Sequence, residues 1–204
     1  VKLTFSKEDD IRHSVYRAAD RYRYRVGLNA QGYPVALQEI CSRRVRINRP
    51  LRFAIYFDNA ERKYTDVPLP LVTGSMRGPN DNVSSFTQQS MIDAMADAFS
   101  IDPLQYRLAL HGDREALETL GWDRAPVHDP VFCRLLRIVK QRSGWKSDPE
   151  YGYGVSYFEK NASKVAIVAL APKSAGGKPI DRVCVALHCG RIVNPLSARA
   201  QMEG

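Results

Sequence analysis

Three stretches of this sequence carry residues whose types and spacing could do chemistry. In TGSMRGPND, Gly74 and Gly78 bracket Ser75, Met76 and Arg77 just before an apolar-periodic run. Glycines let a backbone approach a ligand closely, and a helix N-terminus offers unpaired amides, so this loop suits a phosphate or oxo ligand. It is not a P-loop, because no Lys-Ser/Thr pair follows. In HCGRIVNPLSARAQMEG, residues 188 to 204, a strand leaves through Cys189 and Gly190, Asn194-Pro195 turns the chain, and a helix begins that carries Gln201. A glutamine amide both donates and accepts, which matches the mixed edge of a pterin or purine. In SKEDDIRH, Glu8, Asp9, Asp10 and His13 crowd together. Paired carboxylates can move protons, but the stretch reads as a polar strand exit with a helical or turn start.

The remaining reactive residues form no recognisable set. His13, His111, His128 and His188 accompany no nucleophile motif. Cys41, Cys133, Cys184 and Cys189 make no CxxC pair. Strand alternation puts Cys184 and His188 on one face and Cys189 on the other, so a zinc site with four converging ligands is not supported.

The elements that must position these stretches follow from periodicity. Residues 1–47 read as strands, with KLTFS as the first and Asn29 to Gly32 as the turn of a hairpin. RYRYR places Arg21, Arg23 and Arg25 on one face and Tyr22 and Tyr24 on the other, the pattern of a half-solvated strand. Residues 48–82 hold Pro50, Pro68, Pro70 and Pro79 and read as a looping connection with short extended pieces. Residues 83–145 form a helical block. Met91, Ile92, Met95, Ala98 and Phe99 give a core stripe to a helix over 83–99, and Asp102-Pro103 and Asp129-Pro130 each start another, with Gly112 and Gly144 at the exits. Strands return over 146–204, through YGYGVSY, SKVAIVAL and VCVALHC, with APKSAGGKPIDR as a flexible hairpin tip. The class is α+β, with strands at both ends of the chain and helices between; the opening and closing strands are expected to pair.

Composition agrees with a globular domain: 44% of the 204 residues are hydrophobic and 25% charged, enough to form a core. No apolar run approaches the roughly 20 residues that cross a bilayer, and no secretory leader is recognisable. The formal charge of +8 admits nucleic acid, acidic lipid or an anionic cofactor. A basic nucleic-acid-binding module built on the Arg and Tyr strand is the rival reading, tested by a steep salt dependence of oligonucleotide binding.

The stretches VKLTFSKEDDIRH, RVGLNAQGYPVA, GSMRGP, DPLQYRLAL, YGYGVSYFE and HCGRIVNPLSARAQMEG, taken in order, resemble the central part of the large subunit of molybdenum hydroxylases, in the xanthine dehydrogenase and aldehyde oxidase superfamily. The likeness is to the branch of isoquinoline 1-oxidoreductase beta subunits and membrane-bound bacterial aldehyde dehydrogenases. It implies a molybdopterin-held molybdenum that oxidises aldehydes or hydroxylates N-heterocycles with oxygen from water. It also implies [2Fe–2S] clusters on a small partner subunit, in some relatives a cytochrome c subunit, and a place at the bacterial cytoplasmic membrane, facing the periplasm in some cases. No nucleic-acid partner is expected. By this likeness Gly74, Ser75, Met76, Arg77 and Gly78 pass beside the metal's oxo ligands, with amides of Met76 and Arg77 donating, and Gln201 bonds the pterin. The family has an aromatic residue where this chain has Met76, and acidic residues at Gln89 and Ala94. Its second glycine-rich segment would precede Val1 and its base glutamate, in Gly-x-Gly-Glu, would follow Gly204; Glu203 is not that base. The chain therefore reads as a piece cut from a longer subunit, inactive and without bound cofactor alone. No propeller repeat supports a quinone cofactor.

Overall fold

The structure, a computed structural model, describes residues 2–17, 19–43, 53–68, 70–74, 76, 78, 81–174 and 180–204. A helix α1 (Lys7–His13) precedes strands β1 (Asp20–Leu28) and β2 (Pro34–Arg43), a 3-10 turn (Phe53–Tyr56) and strand β3 (Asn59–Asp66). Helices α2 (Asp81–Asp97), α3 (Pro103–Leu110), α4 (Arg114–Leu120) and α5 (Pro130–Ser143) follow, then strands β4 (Tyr151–Lys160), β5 (Ser163–Pro172) and β6 (Arg182–His188), and helix α6 (Pro195–Glu203). This is the expected α+β order, helices in the middle and strands toward both ends.

Two pairing patterns build the sheets. β1 and β2 are an antiparallel hairpin, and β3 joins β2 in parallel. The Asn29 side chain closes the hairpin turn by accepting from the amides of Gln31 and Tyr33, both at 2.9 Å. The turn is pinned to the helical block: Tyr106 Oη donates to the Gly32 carbonyl at 2.8 Å and Trp122 Nε1 to that of Gln31 at 2.9 Å. The second sheet is the antiparallel order β4-β5-β6. The opening and closing strands thus do not pair, contrary to expectation; each set finds its partners among near neighbours in sequence, which costs less loop-closure entropy than joining the chain's two ends.

Other expectations are corrected locally. KLTFS is no strand, while the helical start expected in SKEDDIRH is α1, set by the reciprocal capping box of Ser6 and Asp9. The 48–82 connection contains β3, whose exposed, charged text NAERKYTD lacks alternation; its place is fixed by β2 and by Arg62, which reaches the wholly buried Glu39 at 2.6 Å. Helix α4, without a periodic stripe to announce it, is set between Asp113, its N-cap, and Gly121, its left-handed C-cap. The inner stripe of α2 is Gln89, Ile92, Met95 and Ala96, while Ala98 and Phe99 lie past its end and are exposed. The 175–179 part of the expected hairpin tip lies outside the described residues.

The core sits where α5 meets β5 and β6 and where α3 packs on α2 and α5. α5 places Phe132, Leu135, Leu136 and Val139 inward, against Ala166, Val168 and Leu170 of β5 and Ala186 of β6. Alternation then turns Val165, Ile167, Ala169, Val183, Val185 and Leu187 to the reverse face of that sheet. Arg107 of α3 is fully buried, its guanidinium held by Gln89, Asp93 and the Pro103 carbonyl at 2.6 to 3.1 Å. β1 keeps its arginines exposed and its tyrosines turned inward; Tyr24 packs edge-on against Phe53 and bonds Thr87 of α2 at 3.0 Å. Tyr24 is thereby committed to the core rather than offered to a stacking base.

Candidate functional site

The glycine loop is held from the N-terminal side. Val15 to Arg17 run beside it: the Tyr16 amide donates to the Val72 carbonyl at 2.9 Å and the Gly74 amide to the Tyr16 carbonyl at 3.1 Å, an isolated parallel bridge between Tyr16 and Thr73. Gly74 is required by this approach, since a Cβ there would stand 2.5 Å from a Val15 methyl. Gly78 has φ +69°, with open space where a Cβ would be, and its carbonyl accepts from Arg17 at 3.2 Å and from the Asp81 amide at 3.2 Å. Met76 is exposed between them. Ser75 and Arg77 lie outside the described residues.

α2 starts directly behind the loop, as the sequence implied. Its first turn carries the Asp81 carboxylate, ion-paired with Lys160 of β4. A carboxylate of the chain itself therefore already meets the positive end of this helix dipole.

Gln201 stands on α6, which begins as expected at Asn194-Pro195. The Asn194 side chain accepts from the Ser197 amide at 3.1 Å, and Pro195 takes the position where a missing donor costs nothing. None of the helix is buried, and Gln201 is exposed. Glu203 is paired with Arg199 one turn back at 2.5 Å. The described contacts bring Gly74 and Gly78 onto residues 15–17 and leave Gln201 on this outward helix. Among the described residues no group of three or more His, Cys, Asp or Glu side chains could hold a metal ion, and all four cysteines are free thiols.

A second constellation was not legible as a motif. His111 caps the end of α3 and is 1% exposed; its ring lies 4.7 Å from Phe132, 4.7 Å from Tyr157 and 5.6 Å from Tyr56. Burial pushes its pKa down to about 3, with Asp129 pulling the other way and Lys164 and Arg107 adding to the fall, so the imidazole is neutral at pH 7. Burial drives the Tyr56 phenol well above its ordinary value and that of Tyr157 up to about 12. Asp129 caps α5, accepting from the Val131 and Phe132 amides at 3.1 Å, and ion-pairs with Lys164. Burial alone would raise its carboxyl; the bonds from Lys164 and the Phe132 amide outweigh this and hold it below the usual range. The only sequence signal here was the Asp129-Pro130 helix start.

No family profile matches the chain. Two curated proteins do. The beta subunit of isoquinoline 1-oxidoreductase from Brevundimonas diminuta is 25% identical over 230 aligned residues, covering 100% of this chain. The B subunit of nicotinate dehydrogenase from Pseudomonas putida is 28% identical over 158 residues, covering 66% of it. By name, both belong to oxidoreductases. The chain spans 28% of the length of the first and 12% of the second. The similarity thus runs through every element described above, from α1 to α6, in the one case, and through about two thirds of the chain in the other.

Proposed function

We propose that this chain is part of the large, molybdopterin-holding subunit of a molybdenum hydroxylase that oxidises aldehydes or hydroxylates N-heterocycles. The observation that carries the reading is the similarity to the isoquinoline 1-oxidoreductase beta chain across the full length of this one. The docked glycine loop and the capped helix bearing Gln201 support it, because both are built features rather than slack connections.

The fit of these residues to a pterin-held metal is one-sided. Gly78, with nothing within 4 Å of its absent side chain, leaves room for a ligand, and the exposed Gln201 side chain is of a type that both donates and accepts. Gly74 offers no such room, since Val15 fills it. When bound, the group supplies the oxidising centre for transfer of water-derived oxygen to a substrate carbon. This chain's share is positional: Tyr16 and Arg17 hold the loop at Gly74 and Gly78, the loop and Gln201 would face the group, and Glu203, held by Arg199, is not a base. Partner subunits with [2Fe–2S] clusters and a cytochrome c, and attachment through them to the bacterial cytoplasmic membrane, belong to the same proposal. Among the described residues no helix is long and apolar enough to cross a membrane.

The test uses the native assembly that contains this chain. Metal analysis should find stoichiometric molybdenum, and turnover of benzaldehyde or quinoline in ¹⁸O-water should place ¹⁸O in the product. Gln201→Ala should lower pterin retention with no change in the far-UV circular dichroism, because the side chain is exposed. The isolated chain supplied with cofactor should show no turnover. Full activity in an assembly without molybdenum would end the proposal.

A further inference from the structure

β1 is an open edge of the first sheet. Among the described residues it pairs with β2 alone, so every second backbone amide and carbonyl along it meets no neighbouring strand. We infer that this edge is a docking site for an extended segment of another protein, one that carries carboxylates at alternate positions with apolar residues between them. The inference does not depend on the oxidoreductase reading and uses none of the loop or α6 residues.

Charge is the first observation that carries it. Alternation puts Arg21, Arg23 and Arg25 on the outward face of β1 at intervals of about 7 Å, and all three are exposed. Arg21 and Arg23 make no hydrogen bond or ion pair among the described residues, and Arg25 reaches only the Gln38 amide oxygen, at 3.4 Å. Across the outward positions of β1, β2 and β3 the one carboxylate is Glu61, already held by Gln38 at 2.8 Å and by Lys63 at 3.4 Å. The β3 edge thus answers its own charge, whereas the β1 edge presents a row of arginines that a facing row of carboxylates would pair.

The other side of the same strand supplies the second. Tyr22, Tyr24 and Val26 are only half-buried there, although Tyr24 packs on Phe53, and an added strand would cover their open flanks with its apolar residues. An extended polypeptide meets both faces at once, because its side chains alternate with the same repeat and its backbone supplies the bonds the edge lacks. A nucleic acid finds no such match: Tyr22 and Tyr24 stack on each other on the face away from the arginines, and the Tyr24 hydroxyl is bonded to Thr87. The third observation concerns who the partner is. No stretch of this chain has Asp or Glu at three successive alternate positions, and a net charge of +8 repels a second copy, so the occupant is an acidic segment of a different protein.

The experiment titrates the peptide acetyl-TEVEVET-amide into the full chain and follows amide shifts and hydrogen exchange. Saturable binding with a Kd of about 0.1–1 mM is expected for so short and flexible a ligand, with added protection at alternate β1 amides and none at β3. The rearranged peptide acetyl-EEEVVTT-amide has the same composition without the alternation and should bind at least about fivefold more weakly. Raising the salt from about 50 to about 500 mM should weaken the alternating peptide about three- to tenfold. Reversing the row with Arg21→Glu, Arg23→Glu and Arg25→Glu together should abolish its binding and admit acetyl-TKVKVKT-amide instead, a gain that a misfolded variant would not show. The comparison of the two acidic peptides and the exchange pattern on the unaltered chain stand even where that variant fails to fold. Shifts that never saturate, equal binding of the rearranged peptide, protection confined to other elements, or a folded triple variant that keeps the acidic peptide would each overturn the inference. So would tighter binding of oligothymidylate or of phosphatidylglycerol vesicles than of the peptide, which would assign the row to phosphate.

Discussion

Lowering the pH from about 7 to about 5 should destabilise this protein through one residue, His111. In the unfolded chain its imidazole titrates at the ordinary 6.5; in the fold burial lowers it to about 3. The folded state therefore excludes a proton that the unfolded state takes up, and stability falls as the pH drops below 6.5 and continues to fall until about 3. Over the first unit and a half the loss is about 2 kcal/mol, at roughly 1.36 kcal/mol per unit. The groups facing the ring work against one another: Asp129 favours protonation, Lys164 and Arg107 oppose it, and the Tyr56 and Tyr157 hydroxyls are uncharged. Asp102 and Asp129, both held below their ordinary 3.8, lose their stabilising charge only as pH falls toward and below that value, so the window above pH 5 isolates the histidine. The assay is urea unfolding followed by Trp122 and Trp145 fluorescence at the two pH values, on the natural chain and on His111→Phe. The variant should lose about 2 kcal/mol less between them. Equal losses in both proteins, or an imidazole that titrates near 6.5 by NMR in the folded state, would refute the reasoning.

Asp129→Ala removes both the α5 cap and the partner of Lys164, and should cost about 1–3 kcal/mol in the same unfolding assay, with most of the loss surviving in high salt because the capping bonds do not depend on it. Gly74→Ala forces a methyl into Val15 and should raise amide exchange at Tyr16 and Gly74; adding Val15→Ala should restore protection, whereas exchange unaffected by either change would show the bridge to be incidental. Asp93→Asn leaves the buried Arg107 guanidinium without its carboxylate and should cost about 2 kcal/mol, below the usual loss for a fully buried pair because Asp93 is half exposed. A change under about 0.5 kcal/mol in that variant would mean the neutral acceptors from Gln89 and Pro103 suffice.

What could be read from the sequence was whatever local chemistry decides. Asp102-Pro103 and Asp129-Pro130 start helices because the aspartate serves the first-turn amides wherever the chain goes next, and both were legible. So were Asn29–Gly32 as a hairpin turn, and Asn194-Pro195 as the start of α6. β3 was not, because its residues are set by a neighbour's backbone and by the buried Glu39, which lies about twenty positions earlier in the chain. The start of α1 was legible in SKEDDIRH as a helical or turn start, but the strand expected in KLTFS before it does not form. In the candidate site, the glycines of the loop could be picked out, but the reason for Gly74 could not, since Val15 is remote in sequence. The ring around His111 draws on the 3-10 turn, α3, α5 and β4, and no spacing rule announces such a convergence.

The reverse face of β5 and β6 has a practical side. Val165, Ile167, Ala169, Val183, Val185 and Leu187 offer water an uncharged surface, with half of Val183 and over a third of Val185 accessible. A chain of net charge +8 keeps its copies apart by repulsion only while counter-ions are scarce. Concentrating the purified protein in molar sulfate should therefore make it sediment as larger species, and Val183→Lys should hold it monomeric.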